Sequence, residues 1–184
     1  MARVDTSPNK GTRTENETAR KVTPFITFKD GAEEAIKLYT SVIPNSRIVS
    51  IMKSDTEGPI AKGKVLHARF ELDGQPFMAM DGGPTFSFSE GFSMFVNCET
   101  QQEIDYLWDK LTASGGEPGP CGWLKDRWGL SWQIVPSALG QMISDPQHGN
   151  SQKTIEAMLK MGKLDIKKLQ DAYAQREEVS AKGR

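Results

Sequence analysis

The feature that most constrains this chain is a unit that occurs twice. A short apolar strand, a helix and several further strands run from Pro24 to Asp81, and the same order returns from Phe92 to Val135. Asp30 with Glu33, and Thr100 with Glu103, stand at the same capping-box spacing before each helix, about seventy residues apart. Ala32, Ile36, Tyr39 and Ile43 form an apolar stripe at helical period, and Ile104, Leu107, Trp108 and Leu111 form its counterpart. One helix followed by hairpin strands, twice over, favours an α+β fold with mainly antiparallel sheets over a doubly wound one.

The strands follow from alternation and turn chemistry. Pro24 to Phe28 and Arg47 to Met52 read as strands, with a polar loop from Ser54 to Gly63 after the second. In Val65 to Leu72, Leu66, Ala68, Phe70 and Leu72 are expected on one face and Val65, His67, Arg69 and Glu71 on the other. Asp73-Gly74 is a two-residue hairpin turn, and Phe77 to Asp81 is the return strand. In the second unit, Phe92 to Asn97 is a strand and Gly115-Gly116 ends the helix. Trp123-Leu124, a turn over Asp126 to Gly129 and a last strand from Leu130 to Val135 follow.

These elements divide the chain into a disordered leader (1–21), a paired-module domain (22–136), a helical extension (137–178) and a frayed tail (179–184). The extension reads as a short helix from Ser137 to Ile143, then amphipathic helices over Thr154 to Met161 and Asp165 to Tyr173 that cover the domain or a partner subunit.

Composition excludes several classes. The 23 basic and 24 acidic side chains leave a net charge of −1, which provides no footprint for nucleic acid or an anionic membrane. Lys163, Lys167 and Lys168 lie among acids and read as a solvated helix face. Apolar residues make up 37%, with no run long enough for a transmembrane helix and no secretion signal, so a cytoplasmic protein is expected. Cys98 and Cys121 are the only cysteines and read as buried reduced thiols rather than a disulfide or a zinc site.

The stretch Gly122-Trp123-Leu124-Lys125-Asp126-Arg127-Trp128-Gly129-Leu130-Ser131-Trp132-Gln133-Ile134-Val135-Pro136 carries a family likeness. Thr23-Pro24-Phe25, the helix Ala32 to Tyr39, His67-Ala68-Arg69-Phe70 and Phe77 to Gly83 support it. Over residues 22–175 the chain resembles the PhnB-like, demethylubiquinone 3-methyltransferase-like family of the vicinal-oxygen-chelate superfamily, which includes glyoxalase I and the bleomycin-resistance proteins. The resemblance implies two β-α-β-β-β modules curling into a U-shaped cup, usually in a homodimer. It also implies metal ligands on the first and last strand of each module in the metal-dependent members. Laid on this chain, those positions fall near Pro24, at Ala79 or Met80, at Ser93 and at Gln133, where a Glu is usual. None is a histidine or a carboxylate, so the metal site is expected to be absent.

Among individual residues, His67 is a candidate acid/base or anion-binding group, or a sheet histidine bonded to Glu71. Asp81 beside two glycines is a candidate acid/base at the cup mouth, or a turn cap. Gln133 and Ser93 are neutral polar candidates for ligand contact, and Phe95, Trp123, Trp132 and Met80 are candidate pocket walls. Asp126 and Arg127 suggest an ion pair in a turn, His148 reads as solvated, and Gly82 to Gly91 with Phe86 and Phe88 is a candidate lid. Neither a G-x-S-x-G elbow nor a glycine-rich strand-to-helix turn is present.

The leading expectation is therefore a metal-free, homodimeric binder of a small, partly apolar molecule. An enzyme, either a methyltransferase as the family label says or an isomerase or lyase using His67 or Asp81, is the alternative. A protein-binding face on the C-terminal helices is a third. No cofactor is expected; S-adenosylmethionine and a divalent metal stay open.

Overall fold

The computed structural model describes residues 21–175. All of the expected tail, and the leader apart from Lys21, lie outside the described residues. The first module contains β1 (Phe25–Phe28), α1 (Ala32–Val42), β2 (Arg47–Lys53), β3 (Val65–Leu72) and β4 (Gln75–Asp81). Its sheet runs β1-β4-β3-β2, with β1 parallel to β4 and the other pairs antiparallel. The second module contains β5 (Ser93–Cys98), α2 (Gln101–Thr112), β6 (Glu117–Pro118), β7 (Trp123–Lys125) and β8 (Ser131–Pro136). Its sheet, β5-β8-β7-β6, repeats the same order, again with one parallel pair. This is the paired-module α+β fold that the repeat implies. The two-residue β6, in the Gly/Pro stretch after α2, adds a strand that no alternation announces.

Each sheet buries one face under its helix. Ile26, Phe28, Ala68, Phe70, Phe77 and Ala79 meet α1, while Leu124, Trp132 and Ile134 meet α2 through Ile104, Leu107 and Leu111, in one continuous core. The Asp73-Gly74 turn has positive φ at both residues (45° and 72°), as a two-residue hairpin matched to strand twist requires.

The expected alternation in β3 holds from His67 onward and fails at its start. Met52 pairs with His67 and Lys53 with Val65, so Leu66 is an extra, bulged residue. The bulge returns Val65 to the core and turns Leu66 out to solvent. The first helix also departs from expectation. Gly31, not Asp30, is its N-cap, with φ of 80° and no side-chain cap. The free helix N–H of Ala32 is met instead by Asp81 of β4, at 2.9 Å. In α2 the expected cap is present: Thr100 Oγ1 accepts from Glu103 N, and Glu103 reaches back to the backbone N–H of Glu99.

Among the described residues no ladder joins the two sheets. The modules meet through side chains. Tyr39 of α1 lies 5.0 Å (ring centroids) from Trp132 and 5.9 Å from Trp128, while Phe28 meets Phe88 and Trp128 edge-on. At the centre, the Tyr39 hydroxyl donates to Asp126 Oδ2 at 2.5 Å. Asp126 also accepts from Trp132 Nε1 and from the backbone N–H groups of Trp128 and Leu130. The expected Asp126–Arg127 ion pair does not form; Arg127 lies over the Trp128 ring, 4.2 Å from its centroid.

Three further helices follow, α3 (Ser137–Ser144), α4 (Ser151–Met158) and α5 (Ile166–Tyr173). They enclose a second small core of Leu139, Met142, Leu164 and Leu169, and they dock on the second module of their own chain. Backbone bonds from Cys121 to Met161 and from Gly122 to Gly162, with Gln101 bridging Leu164 and Ile166, hold them there. Lys163, Lys167 and Lys168 pair with Asp105, Asp171 and Asp165, as a solvated face does. No described helix is long and apolar enough to cross a membrane.

Candidate functional site

The face of each sheet away from its helix is open, and most of the candidate residues lie there. On the second sheet, Phe95 of β5 and Trp123 of β7 flank Gln133 of β8 in one cross-strand row. The neighbouring row places Ser93, Ser131 and Lys125 together, and Gln133 Nε2 donates to Ser93 Oγ at 2.8 Å. Phe95 is 55% exposed at the centre of this face. Beside it lies a cavity of about 400 Å³ walled by Pro118, Pro120, Trp123, Lys125, Ser131 and Glu90, within the size range of small-molecule pockets. Lys125 Nζ pairs with Glu90 across its edge.

On the first sheet, Arg69 of β3 is flanked by Met78 and Ser50. His67 is paired with Met52, and the antiparallel register sets it beside Met80. The register leaves no one-residue ambiguity. Ala79 is in the core and Met80 is on the open face, which His67 and Arg69 share. Glu71 is not a partner for His67; it is held by Arg47 through two bonds of 2.6 and 2.8 Å. His67 has the Phe25 ring 6.4 Å away.

Two candidates are on the other side. Trp132 is 1% exposed and faces Tyr39 and Asp126, so it walls no pocket; its neighbour Gln133 takes the open face. Asp81 is 5% exposed beside Phe77 and Ala79. Both its oxygens are occupied, one by Ala32 N and the other by Val65 N at 2.8 Å, which makes it a tie between strand and helix. Of the expected lid, Phe88 is packed against Phe28 and Glu90 is paired, while Phe86 is exposed. His148 is exposed and bonded to Asp145. Cys98 is buried, and burial, then Glu103 and Glu99, push its thiol up to about 12; Cys121, expected in the core, is only half-buried because it stands in a turn at φ 55°.

The role of Asp126 is the feature the sequence conceals. Burial raises its carboxyl above the ordinary carboxylate range, against the opposing pull of its four donors. The Tyr39 hydroxyl is raised well above its ordinary value by burial and then by this carboxylate. No spacing links two residues 87 positions apart; the dense Asp126 to Trp132 stretch was the only signal available.

The residues do not fit the cofactors the family suggests. Pro24, Met80, Ser93 and Gln133 offer no strong metal donor, and among the described residues no three His, Cys, Asp or Glu side chains are grouped to hold an ion. The familiar cradle for a nucleotide-bearing cofactor is an open, glycine-rich strand-to-helix turn, and neither turn here provides one. At the first such turn a Cβ on Gly31 would meet Trp128 Nε1 at 2.6 Å, and the N–H of Ala32 is already taken. The second, Glu99-Thr100, has no glycine.

Comparison with known proteins agrees with this architecture. A PhnB protein of known structure from Bacillus cereus, provisionally described as a 3-demethylubiquinone-9 3-methyltransferase, is 39% identical over 64% of this chain and all of its own, with a TM-score of 0.59. Protein PA1353 from Pseudomonas aeruginosa is 22% identical over 64% of this chain and 98% of its own, with a TM-score of 0.53, and shares the fold. No curated protein matches the chain. The model of the 3-demethylubiquinone-9 3-methyltransferase family matches residues 20–135, more than half of the sequence and both modules; the chain belongs to that PhnB-like family of the vicinal-oxygen-chelate superfamily.

Proposed function

We propose that this protein binds a small, partly apolar molecule on the open faces of its sheets, without a metal, as a cytoplasmic homodimer. The observation that carries the reading is the chemistry of those faces. Phe25, Met52, Phe95 and Leu66 are exposed on strands, beside the neutral Ser93–Gln133 pair and an apolar cavity at Trp123. A monomer rarely leaves so much apolar sheet in water. β2 supports the dimer: it is a sheet edge with Ile48, Val49 and Met52 all exposed, the kind of edge a second copy covers.

Native mass spectrometry of the purified protein tests this. A dimer that releases an organic molecule on denaturation, and takes up no divalent ion, is the expected result. One tightly held divalent metal per chain would overturn the metal-free reading. A monomer at micromolar concentration would overturn the dimer.

A methyltransferase is the reading suggested by the family description and by that of the Bacillus cereus relative. The closed strand-to-helix turns argue against it. Binding of S-adenosylmethionine in a calorimetric titration would restore it.

A further inference from the structure

We propose that the ligand of the first sheet's open face is an amphiphile with an oxyanion head, a carboxylate, sulfonate or phosphate, and that Arg69 binds the head. This rests on the reading that the face holds a small molecule and adds the ligand's charge.

The first observation is charge. Arg69 and His67 stand two residues apart on β3, roughly 7 Å along the strand and on the same face. Neither side chain makes a hydrogen bond or an ion pair within the described residues. The carboxylate two residues along on the same face, Glu71, is held by Arg47. Most lysines of the described surface have a carboxylate partner, whereas this guanidinium has none.

The second observation is the surroundings. Met78 and Ser50 flank Arg69, Met52 and Met80 flank His67, and Phe25 lies across from Met78. An unpaired guanidinium set in a thioether and aromatic surface can give two parallel N–H donors to an oxyanion while the apolar body lies on the methionines. If a second copy covers this face, leaving the charge unpaired there is costly, and an anionic ligand removes that cost. On the second sheet's open face, with Ser93, Gln133, Phe95 and Asn97, the charge of Lys125 is already paired with Glu90.

Two fluorescent probes that differ only in the sulfonate group test the proposal: anilinonaphthalene sulfonate and its uncharged parent, N-phenylnaphthylamine. Both are titrated into the full chain and into the Met80→Gln and Arg69→Gln variants, with folding checked by circular dichroism. Met80→Gln is expected to weaken both probes alike. Arg69→Gln is expected to weaken the sulfonate about tenfold and leave the amine unchanged, since one charge-assisted contact is lost. Arg69→Lys should restore part of the loss.

If Arg69→Gln leaves the ratio of the two affinities unchanged while Met80→Gln weakens both, the anion assignment falls and the binding face survives. If Met80→Gln affects neither probe, the binding face falls, and the anion site with it. If Arg69→Gln dissociates the dimer without moving the ratio, the charge belongs to a carboxylate of the second copy, and the proposal is overturned.

Discussion

Replacing Tyr39 by Phe removes one hydroxyl from the junction between the modules. That hydroxyl is one of four donors to Asp126, at 2.5 Å, and both residues are buried. A hydrogen bond to a charged acceptor contributes about 1.5–3 kcal/mol, so a loss of about 2 kcal/mol is expected at neutral pH. In a chain of this length that corresponds to a fall in Tm of roughly 4–8 °C. Urea unfolding followed by tryptophan fluorescence measures it, with Trp128 and Trp132 beside the site.

The pH dependence sharpens the prediction. Burial raises the Asp126 pKa in the folded chain, so the folded state holds its proton more tightly than the unfolded state does. The favourable contribution of the protonated form is complete below the ordinary carboxylate pKa and is lost as pH rises through the raised folded value. Removing the Tyr39 donor raises that value further, because the hydroxyl favours the charged form. The Tyr39→Phe deficit is therefore largest at neutral pH and shrinks as the pH falls toward the carboxylate range. A deficit below about 0.5 kcal/mol, or one constant from pH 7 to about pH 4, would refute Asp126 as the charged centre of the junction.

Other sites give separate tests. Asp126→Asn turns an amide N–H₂ toward two donors whichever way it is flipped, and each donor left unsatisfied costs about 1–3 kcal/mol, so denaturant titration should show a larger loss than Tyr39→Phe. Asp81→Asn places a donor against one of two backbone N–H groups and should cost about 1–3 kcal/mol while leaving ligand affinity unchanged; lost function at full stability would return Asp81 to a chemical role. Gly31→Ala combines φ of 80° with a contact on Trp128 and should lower stability by more than about 1 kcal/mol in calorimetry. The Cys98 thiol, pushed up to about 12, should resist a thiol reagent at pH 8 until the chain unfolds, and native labelling at Cys98 would contradict its burial.

What the sequence determined by itself was local and periodic. Helical stripes, the Thr100 cap, the Asp73-Gly74 turn and the twofold repeat depend on residues within a few positions of one another, so spacing alone reveals them. The same periodicity set Gln133 opposite to Trp132, but could not say which of the two faced water. The side was decided by Tyr39, which arrives from the other module and takes Trp132 into the core. The Leu66 bulge reversed the start of β3 because register is a property of two strands, and its partner β2 lies across a loop whose length conveys nothing about pairing. Asp81 looked like a group at a cup mouth and became a helix tie because the N–H of Ala32, bare for want of a local cap, lay within reach. The charge on the open face is legible only in the structure: Arg69 stands two residues from Glu71 in sequence and looks neutralised until that carboxylate is found holding Arg47 instead.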